Sequence, residues 1–193
     1  MDKAIIIIGQ KGHGKTEFGR CLGRKLDTLS CDTSTILTEI ENDRRTRVGL
    51  PPLFESTADD EGWLITYRKA HPGLSPCECD TMLGRRIKNR DRRYLIALGN
   101  AMGRADPTVM IRSCLRKGRI VIGCRRMEEL RAARDQGLVE AVVWVQRPDY
   151  HEGGDDNLEL NLRDAEIIVA NNGTLDDLRG RAQEIVEWLG DKK

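Results

Sequence analysis

The chain has 193 residues, of which 39% are hydrophobic and 33% are charged, and its formal net charge is +1 at pH 7. This length predicts one domain, spanning residues 1–193, that is large enough to bury its own core. No segment approaches the roughly 18 consecutive apolar residues of a membrane span, and the start MDKAIIIIGQ lacks the basic region and cleavage site of a signal peptide. We therefore expect no membrane partner and a cytoplasmic location.

Four short apolar runs, alternating with amphipathic stretches, predict a β-sheet covered by helices. The predicted strands are Ala4–Ile8 and residues 119–124, 141–145 and 165–170. The predicted helices are Lys15–Lys25, residues 126–136 closed by Gly137, and a last helix that is capped by Thr174 and runs to Leu189. Strands and helices that alternate at short intervals favour a three-layer α/β fold with a central parallel sheet.

The middle of the chain departs from this alternation. Residues 42–82 contain four prolines and three glycines and show little periodicity, which predicts an irregular insertion or lid. Residues 83–102 then predict a basic helix, which is itself a candidate lid.

Residues 9–16 carry the strongest motif of the sequence. They read GQKGHGKT, a full match to the phosphate-loop pattern G-x-x-x-x-G-K-[ST], with a buried strand before it and a helix after it. Glycines bend such a loop so that backbone N–H groups point at phosphate oxygens, Lys15 reaches the outer phosphates, and the Thr16 hydroxyl binds Mg²⁺. The predicted nucleotide contacts are Gly9, Gly12, His13, Gly14, Lys15 and Thr16.

The ends of the other strands indicate what is done with the nucleotide. Remodelling ATPases and GTPases usually have a second apolar strand that ends in an acid, which helps to hold Mg²⁺. The later strands here end in Gly123-Cys124, Gln146-Arg147 and Asn171-Asn172. The missing acid favours a small kinase, and a regulatory or motor ATPase is the alternative from a different class.

Arginines follow two of the predicted strands directly. Residues beyond the carboxyl ends of parallel strands face the ligand crevice, so Arg125 and Arg147 are candidates to neutralise a phosphoryl group in transfer. The arginines that we expect to be solvated, on the exposed side of a helix, are Arg126, Arg131 and Arg134.

Several segments resemble the bacteriophage deoxynucleoside monophosphate kinases, relatives of thymidylate and dephospho-coenzyme A kinases. These segments read RRYLIALG, IVIGCRRMEEL, VVWVQRPDY and LRDAEIIVANNGTLDDL. The resemblance implies a P-loop kinase fold, ATP as donor, Mg²⁺, a nucleotide acceptor and the cytoplasm of a phage-infected host cell. It also implies phosphate or lid contacts for four arginines and a place near the adenine for one turn. The residues concerned are Arg92, Arg93, Arg125 and Arg147, and the turn Asn171, Asn172, Gly173 and Thr174.

The chain departs from that family at two positions. It has Gly123 where the monophosphate kinases carry an aspartate, and Ser30-Cys31-Asp32-Thr33 where they have a Gly-Pro stretch. Dephospho-coenzyme A kinases use an aspartate just after the second strand to accept the proton of a sugar hydroxyl. An alcohol must lose a proton during attack and an ionised phosphate need not, so Asp32 as a base would favour an alcohol acceptor. Asp32 is equally suited to cap a helix that starts near Thr33.

One branch that this chain resembles phosphorylates an alcohol on DNA, the hydroxymethyl group of 5-hydroxymethyluracil, during thymidine hypermodification. A DNA substrate requires Lys and Arg against several phosphates. Residues 1–148 carry a net charge of +8, residues 149–193 carry −7, and residues 84–93 hold six bases against one acid. We therefore expect phage DNA as the substrate, with free deoxynucleoside monophosphates as the alternative.

The candidate DNA contacts are Arg85, Arg86, Arg92 and Arg93, with Trp63 or Tyr67 to stack on an extruded base. The same basic run is consistent with a solvated helix face or with a lid over the phosphates of ATP.

Overall fold

A computed structural model describes residues 2–50, 52–54, 58–73, 76–150 and 158–191, without the side chains of residues 77, 78, 80, 81, 84, 85, 88 and 89. The chain divides into two compact units. Unit 1 comprises residues 1–36 and 102–193, and unit 2 comprises residues 37–101.

Five parallel strands form the sheet of unit 1. They are β1 (Ala4–Ile8), β2 (Ser30–Asp32), β3 (Ile120–Ile122), β4 (Val139–Gln146) and β5 (Ile167–Ala170). Their order across the sheet is β2-β3-β1-β4-β5, so β1 is central and pairs with β3 on one side and β4 on the other. The predicted α/β architecture with a central parallel sheet is confirmed.

Helices flank the sheet and make up most of unit 2. Those of the described residues are α1 (Lys15–Lys25), α2 (Thr33–Arg47), α3 (Ala58–Ala70), α4 (Pro76–Ala105), α5 (Val109–Leu115), α6 (Met127–Asp135) and α7 (Leu175–Asp191). The predicted cap of α7 is confirmed, because the Thr174 hydroxyl accepts the Asp177 N–H at 3.2 Å and the Asp177 carboxylate accepts the Thr174 N–H at 2.7 Å. In the part of the chain that is described, no helix is both long enough and apolar enough to cross a membrane.

The core lies against both faces of β1, whose five side chains are all buried. Ile5 and Ile7 belong to a cluster that also contains Phe18 of α1 and Leu178 of α7. Ile6 and the other alternate residues of β1 point to the opposite face, because successive side chains of a strand alternate. A strand covered on both faces reads as an unbroken apolar run, which is why the sequence pattern identified β1.

Three of the predicted strands differ from their predicted boundaries: β4 spans Val139–Gln146 rather than 141–145, β5 begins at Ile167 rather than at residue 165, and β3 is also shorter than predicted. β3 ends at Ile122 rather than at residue 124, because Gly123 adopts a φ of +98° and turns the chain out of the sheet. β2 was not predicted from the apolar pattern, since its three residues, Ser-Cys-Asp, contain no apolar run.

The prediction that residues 42–82 are irregular is wrong over much of that range, because α2 extends to Arg47, α3 covers 58–70 and α4 begins at Pro76. The predicted helix at 83–102 lies within α4. Proline is tolerated as the first residue of a helix, so Pro76 opens α4 rather than breaking it. The lack of periodicity has a physical basis, since Asp60 is the only buried residue of α3.

Ion pairs take the place of an apolar core in parts of unit 2. Asp60 of α3 pairs with Arg86 at 3.2 Å and with Arg90, both on α4. Within α2, the buried Glu41 accepts hydrogen bonds from Arg44 at 2.7 Å and Arg45 at 3.1 Å. The bonds from Arg44 contribute most to lowering the pKa of Glu41 to about 2, against the opposing effect of burial. Glu41 therefore remains ionised, and the two acids pair with part of the basic charge of unit 2.

Truncation of the core behind the phosphate loop tests this packing. Phe18 is fully buried in α1, so Phe18→Ala should lower the free energy of unfolding by about 3–5 kcal/mol. Leu29→Ala is the control, because Leu29 is 67% exposed and its loss should change stability by less than about 0.5 kcal/mol. Urea unfolding of both variants measures the difference, and equal stabilities would contradict the packing described.

Candidate active site

The loop between β1 and α1, where the sequence predicts a phosphate loop, holds three glycines in conformations that favour glycine. Gly9, Gly12 and Gly14 all have positive φ, at +141°, +82° and +88°. A Cβ on Gly9 would lie 2.2 Å from the carbonyl oxygen of Val145, so only glycine lets the loop pass this close to β4. The backbone therefore fits the predicted phosphate loop in the positions where glycine is required.

Amide donors and one lysine converge at the start of α1. The first helical hydrogen bond runs from the Phe18 N–H to the Gly14 carbonyl at 2.9 Å, so the amides of residues 15–17 precede it and have no acceptor within the helix. The Lys15 ammonium reaches back across the loop and donates to the Gln10 carbonyl at 2.6 Å, and the Thr16 side chain is exposed. Amides at a helix N-terminus with an adjacent ammonium can bind a phosphate group.

His13 ties the loop to the ends of β4 and β5. Its Nδ1 accepts the Arg147 N–H at 3.1 Å, and its carbonyl accepts from the Asn171 side chain at 3.0 Å. Burial, followed by the charge of Lys15, lowers the pKa of His13, and a hydrogen bond with the Tyr150 backbone opposes this. A neutral ring is required for Nδ1 to accept the Arg147 N–H, so the lowered pKa and the hydrogen bond agree.

Tyr150 is a site residue that the sequence did not single out. A Cβ on Gly12 would lie 2.2 Å from the Tyr150 ring, so the ring rests directly on the loop. The His13 ring meets it edge-on at 6.0 Å, and the Arg147 guanidinium lies 5.8 Å from its centroid. No pattern in the sequence could have found this contact, because it depends on β4 lying beside β1.

Asn171 and Gly173, which the resemblance places near the adenine, contact other residues of the protein. The Asn171 side chain lies against Gly14, where a Cβ would be 2.3 Å from its Nδ2, so Asn171 supports the phosphate loop itself. Gly173 is exposed beside the carboxylate of Asp177. A place near the adenine stays a prediction for both residues.

Asp32 lies at the carboxyl end of β2 and begins α2. Its Oδ1 accepts from the Ser34 N–H at 2.8 Å and the Ser34 hydroxyl at 2.6 Å, the hydrogen bonds of an N-cap. None of the described residues donates a hydrogen bond to Oδ2. One carboxylate oxygen therefore caps the helix while the other is available for proton transfer, so the two roles do not exclude each other.

Asp32 also lies next to Gly123, the position at which the phage monophosphate kinases that the sequence resembles carry an aspartate. A Cβ on Gly123 would lie 3.4 Å from Asp32 Oδ1 and 2.6 Å from the Thr33 hydroxyl, which itself donates to the Gly123 carbonyl at 3.2 Å. The Thr33 hydroxyl and the Asp32 carboxylate thus fill the space next to Gly123. β2 ends in the acid Asp32, but β2 is not an apolar strand. The apolar strands β3, β4 and β5 end at Ile122, Gln146 and Ala170, without an acid, as expected.

The turn after β3 holds Arg125 and Arg126. Arg125 is half-buried beyond the strand end, as predicted, and its carbonyl accepts the Glu159 N–H at 2.9 Å. Arg126 is not the solvated charge that the sequence suggested, since its guanidinium occupies the space beside Gly103 at the end of α4. Its half-buried position at the N-cap of α6 fixes it against the protein.

A buried carboxyl group, Glu129, lies beneath this turn. Glu129 is only 4% exposed, and its Oε1 has no hydrogen-bond partner among the described residues. Burial raises the pKa of Glu129, against the charge of Arg126 and a hydrogen bond from the Cys124 thiol. Glu129 is therefore an acid with a raised pKa, and it lies next to Arg125, one of the two arginines that follow strands.

The predicted DNA contacts belong to unit 2, whereas the phosphate loop belongs to unit 1. Arg86 is paired with Asp60, and Arg90 of the same basic run is paired with Asp60 and Asp91. Arg93 is exposed and Arg92 is half-buried, while the Arg85 side chain lies outside the described residues. Part of the charge counted over residues 84–93 is thus neutralised within the protein.

Among the described residues, no group of three or more His, Cys, Asp or Glu side chains is placed to hold a metal ion. Thr16, with an exposed hydroxyl at the start of α1, is the residue that fits a Mg²⁺ bound together with nucleotide phosphates.

No protein-family model matches the chain, and no curated protein matches it.

The raised pKa of Glu129 makes a pH-dependent prediction. The native state binds more protons than the unfolded state between the unfolded and native pKa values, so wild-type stability falls as pH rises through the native pKa. Glu129→Gln cannot ionise and should avoid this loss. The variant should match the wild type near about pH 4 and become progressively more stable than it towards about pH 8.

Urea unfolding across this range measures the effect, with Glu128→Gln on the exposed side of α6 as the control. A Glu129→Gln variant that gains nothing on the wild type as pH rises would show that Glu129 does not carry the raised pKa.

Proposed function

We propose that the protein is an ATP-dependent kinase that transfers the γ-phosphoryl group to the hydroxymethyl group of 5-hydroxymethyl-deoxyuridine in phage DNA. The observation that carries the proposal is a loop of positive-φ glycines between β1 and the start of α1, with a carboxylate, Asp32, at the end of β2 on the same edge of the sheet. The resemblance to phage nucleotide kinases supplies the choice of donor and acceptor.

The loop between β1 and α1 would bind ATP, the phosphoryl donor. The amides of residues 15–17 and the Lys15 ammonium would bind the phosphates of ATP, with Lys15 exchanging the Gln10 carbonyl for a phosphate oxygen. Arg125 and Arg147, beyond the ends of β3 and β4, would neutralise charge that develops in transfer. Mg²⁺, held by the Thr16 hydroxyl and the phosphates, would supply further charge neutralisation.

The acceptor end rests on Asp32. One strand, β3, lies between β1 and β2, so the ends of β1 and β2 are about 10 Å apart at the usual strand spacing. A hydroxymethyl group bound beyond the end of β3 would lie between the terminal phosphate and the carboxylate. The alcohol oxygen would form a bond to the γ-phosphorus as the bond to the ADP oxygen breaks, and Asp32 Oδ2 would accept the alcohol proton.

A second candidate is phosphorylation of free deoxynucleoside monophosphates. It is favoured by the hydrogen bonds of Asp32 to Ser34, which give this carboxylate a structural role without any base catalysis. A phosphate acceptor is already ionised and needs no base. A regulatory ATPase is the least supported candidate and would hydrolyse ATP quickly without any acceptor.

Removal of the loop lysine tests the donor site. Lys15→Ala should lower phosphoryl transfer at least about 100-fold, because it removes the positive charge next to the transferred group. Lys11→Ala is the matched control, since Lys11 lies in the same loop with an exposed side chain. Transfer of label from γ-labelled ATP to an oligonucleotide containing 5-hydroxymethyluracil measures both variants. Equal activities of the two would reject the loop as the donor site.

Substitution of Asp32 separates its two roles. Asp32→Asn keeps the Oδ1 acceptor of the cap and removes the base, so stability should stay near that of the wild type while transfer to DNA falls about 10²–10⁴-fold. Asp32→Ala removes both and should also lose about 1 kcal/mol of stability. A fully active Asp32→Asn enzyme on DNA would show that Asp32 is only a cap, and label found only on monophosphates would establish the second candidate.

A further inference from the structure

Three aromatic side chains form a stacked ladder on α3. Trp63, Tyr67 and His71 follow one another at intervals of four residues, which places them on one face of the helix. The Trp63 and Tyr67 rings are 4.8 Å apart and the Tyr67 and His71 rings are 4.2 Å apart, each pair at an interplanar angle of 24°. The three rings thus share one stacking direction along the helix.

The two ends of the ladder differ. The Arg86 guanidinium lies 5.2 Å from the Trp63 ring and covers that end. Tyr67 is thus stacked between two rings, and Trp63 is contacted by Tyr67 and by Arg86. His71 is exposed at the other end, and no ring or cation of the described residues stacks on its outer face.

His71 is held in a fixed orientation. Its Nδ1–H donates to the Tyr67 carbonyl at 3.0 Å, and its backbone N–H donates to the same oxygen at 3.1 Å. A ring already held by a hydrogen bond and by stacking loses little freedom when a second ring is added. The exposed face of His71 is thus a preorganised surface for one more planar group.

The ladder is not part of the core. Asp60 is the only buried residue of α3, and the rings of the ladder are half-buried or exposed. Aromatic side chains that stabilise a fold do so mainly by burying large apolar areas, which these do to a limited extent.

Charge is distributed unevenly along α3. The first turn holds the acids Asp59, Asp60 and Glu61, and the last turn holds Arg68 and Lys69 next to His71. At 1.5 Å per residue, Glu61 and His71 are about 15 Å apart along the axis. The exposed ring therefore lies at the basic end of the helix, which suits a ligand that combines a planar base with negative phosphates.

We propose that the exposed face of His71 is a stacking site for a nucleobase of single-stranded DNA, with Lys69 beside a neighbouring phosphate. The choice of DNA rests on the proposed function. Bases of a duplex are stacked on one another and offer no free face, so an unpaired or extruded base is required. One stacked base and one cation give useful affinity only when several contacts along one strand add together, which favours a polymer over a free nucleotide.

Binding of a fluorescent oligonucleotide of about 12 thymidines, followed by anisotropy without ATP, tests the site. His71→Ala should weaken binding about tenfold, and His71→Phe, which keeps a ring, should bind at least as tightly as the wild type. Ile65→Ala is the control on α3, because Ile65 is 57% exposed and does not belong to the ladder. Duplex DNA and thymidine monophosphate should bind more weakly than the single strand.

Salt dependence separates stacking from charge. Lys69→Gln should reduce the slope of log affinity against log salt by about 0.7, whereas His71→Ala should leave the slope unchanged. A wild type that fails to bind the oligonucleotide at low salt, or a His71→Ala variant that binds as the wild type does, overturns the proposal. Phosphoryl transfer plays no part in this titration. A protein that binds DNA through His71 and transfers no phosphate would keep the stacking site and lose the proposed function.

Discussion

The position of β1 at the centre of the sheet is the constraint on which the candidate site depends. Each residue of β1 is buried, and the strand pairs with β3 on one edge and β4 on the other. The loop that leaves its carboxyl end is therefore anchored at its first residue. Gly9 passes so close to Val145 that no other residue fits, and His13 is bonded to the ends of both β4 and β5. The loop geometry follows from strand order as much as from its own glycines.

Strand order also explains why a carboxylate and two arginines lie at or just beyond strand ends on the same edge of the sheet. The strands are all parallel, so their carboxyl ends lie together, and each end contributes a different group. β2 contributes Asp32, β3 leads to Arg125, and β4 leads to Arg147. Gly123 has no side chain, and the Thr33 hydroxyl and Asp32 Oδ1 lie next to it. Because Asp32 lies at the end of β2 rather than of β3, it is one strand farther from the loop. This position suits a contact with the acceptor.

The sequence predicted the parts of the fold that depend on apolar burial or on a fixed motif. β1 and α1 were correct because a buried strand is uniformly apolar and an amphipathic helix has a regular apolar face, and the loop between them holds its glycines at positive φ. β2 was missed because it is short and polar. α3 was missed because Asp60 and the ring ladder, rather than an apolar stripe, mark its packed side. Tyr150 carried no signal, since its contact with Gly12 is set by tertiary structure alone.

The central claim, phosphoryl transfer to a hydroxymethyl group on DNA, is tested most directly by competition between acceptors. The wild-type protein is incubated with γ-labelled ATP, Mg²⁺, an oligonucleotide that contains 5-hydroxymethyluracil, and an excess of free deoxynucleoside monophosphates. Label should appear on the oligonucleotide and should be lost when thymine replaces the modified base. Label confined to the monophosphates, or ATP hydrolysis with no labelled acceptor, would contradict it.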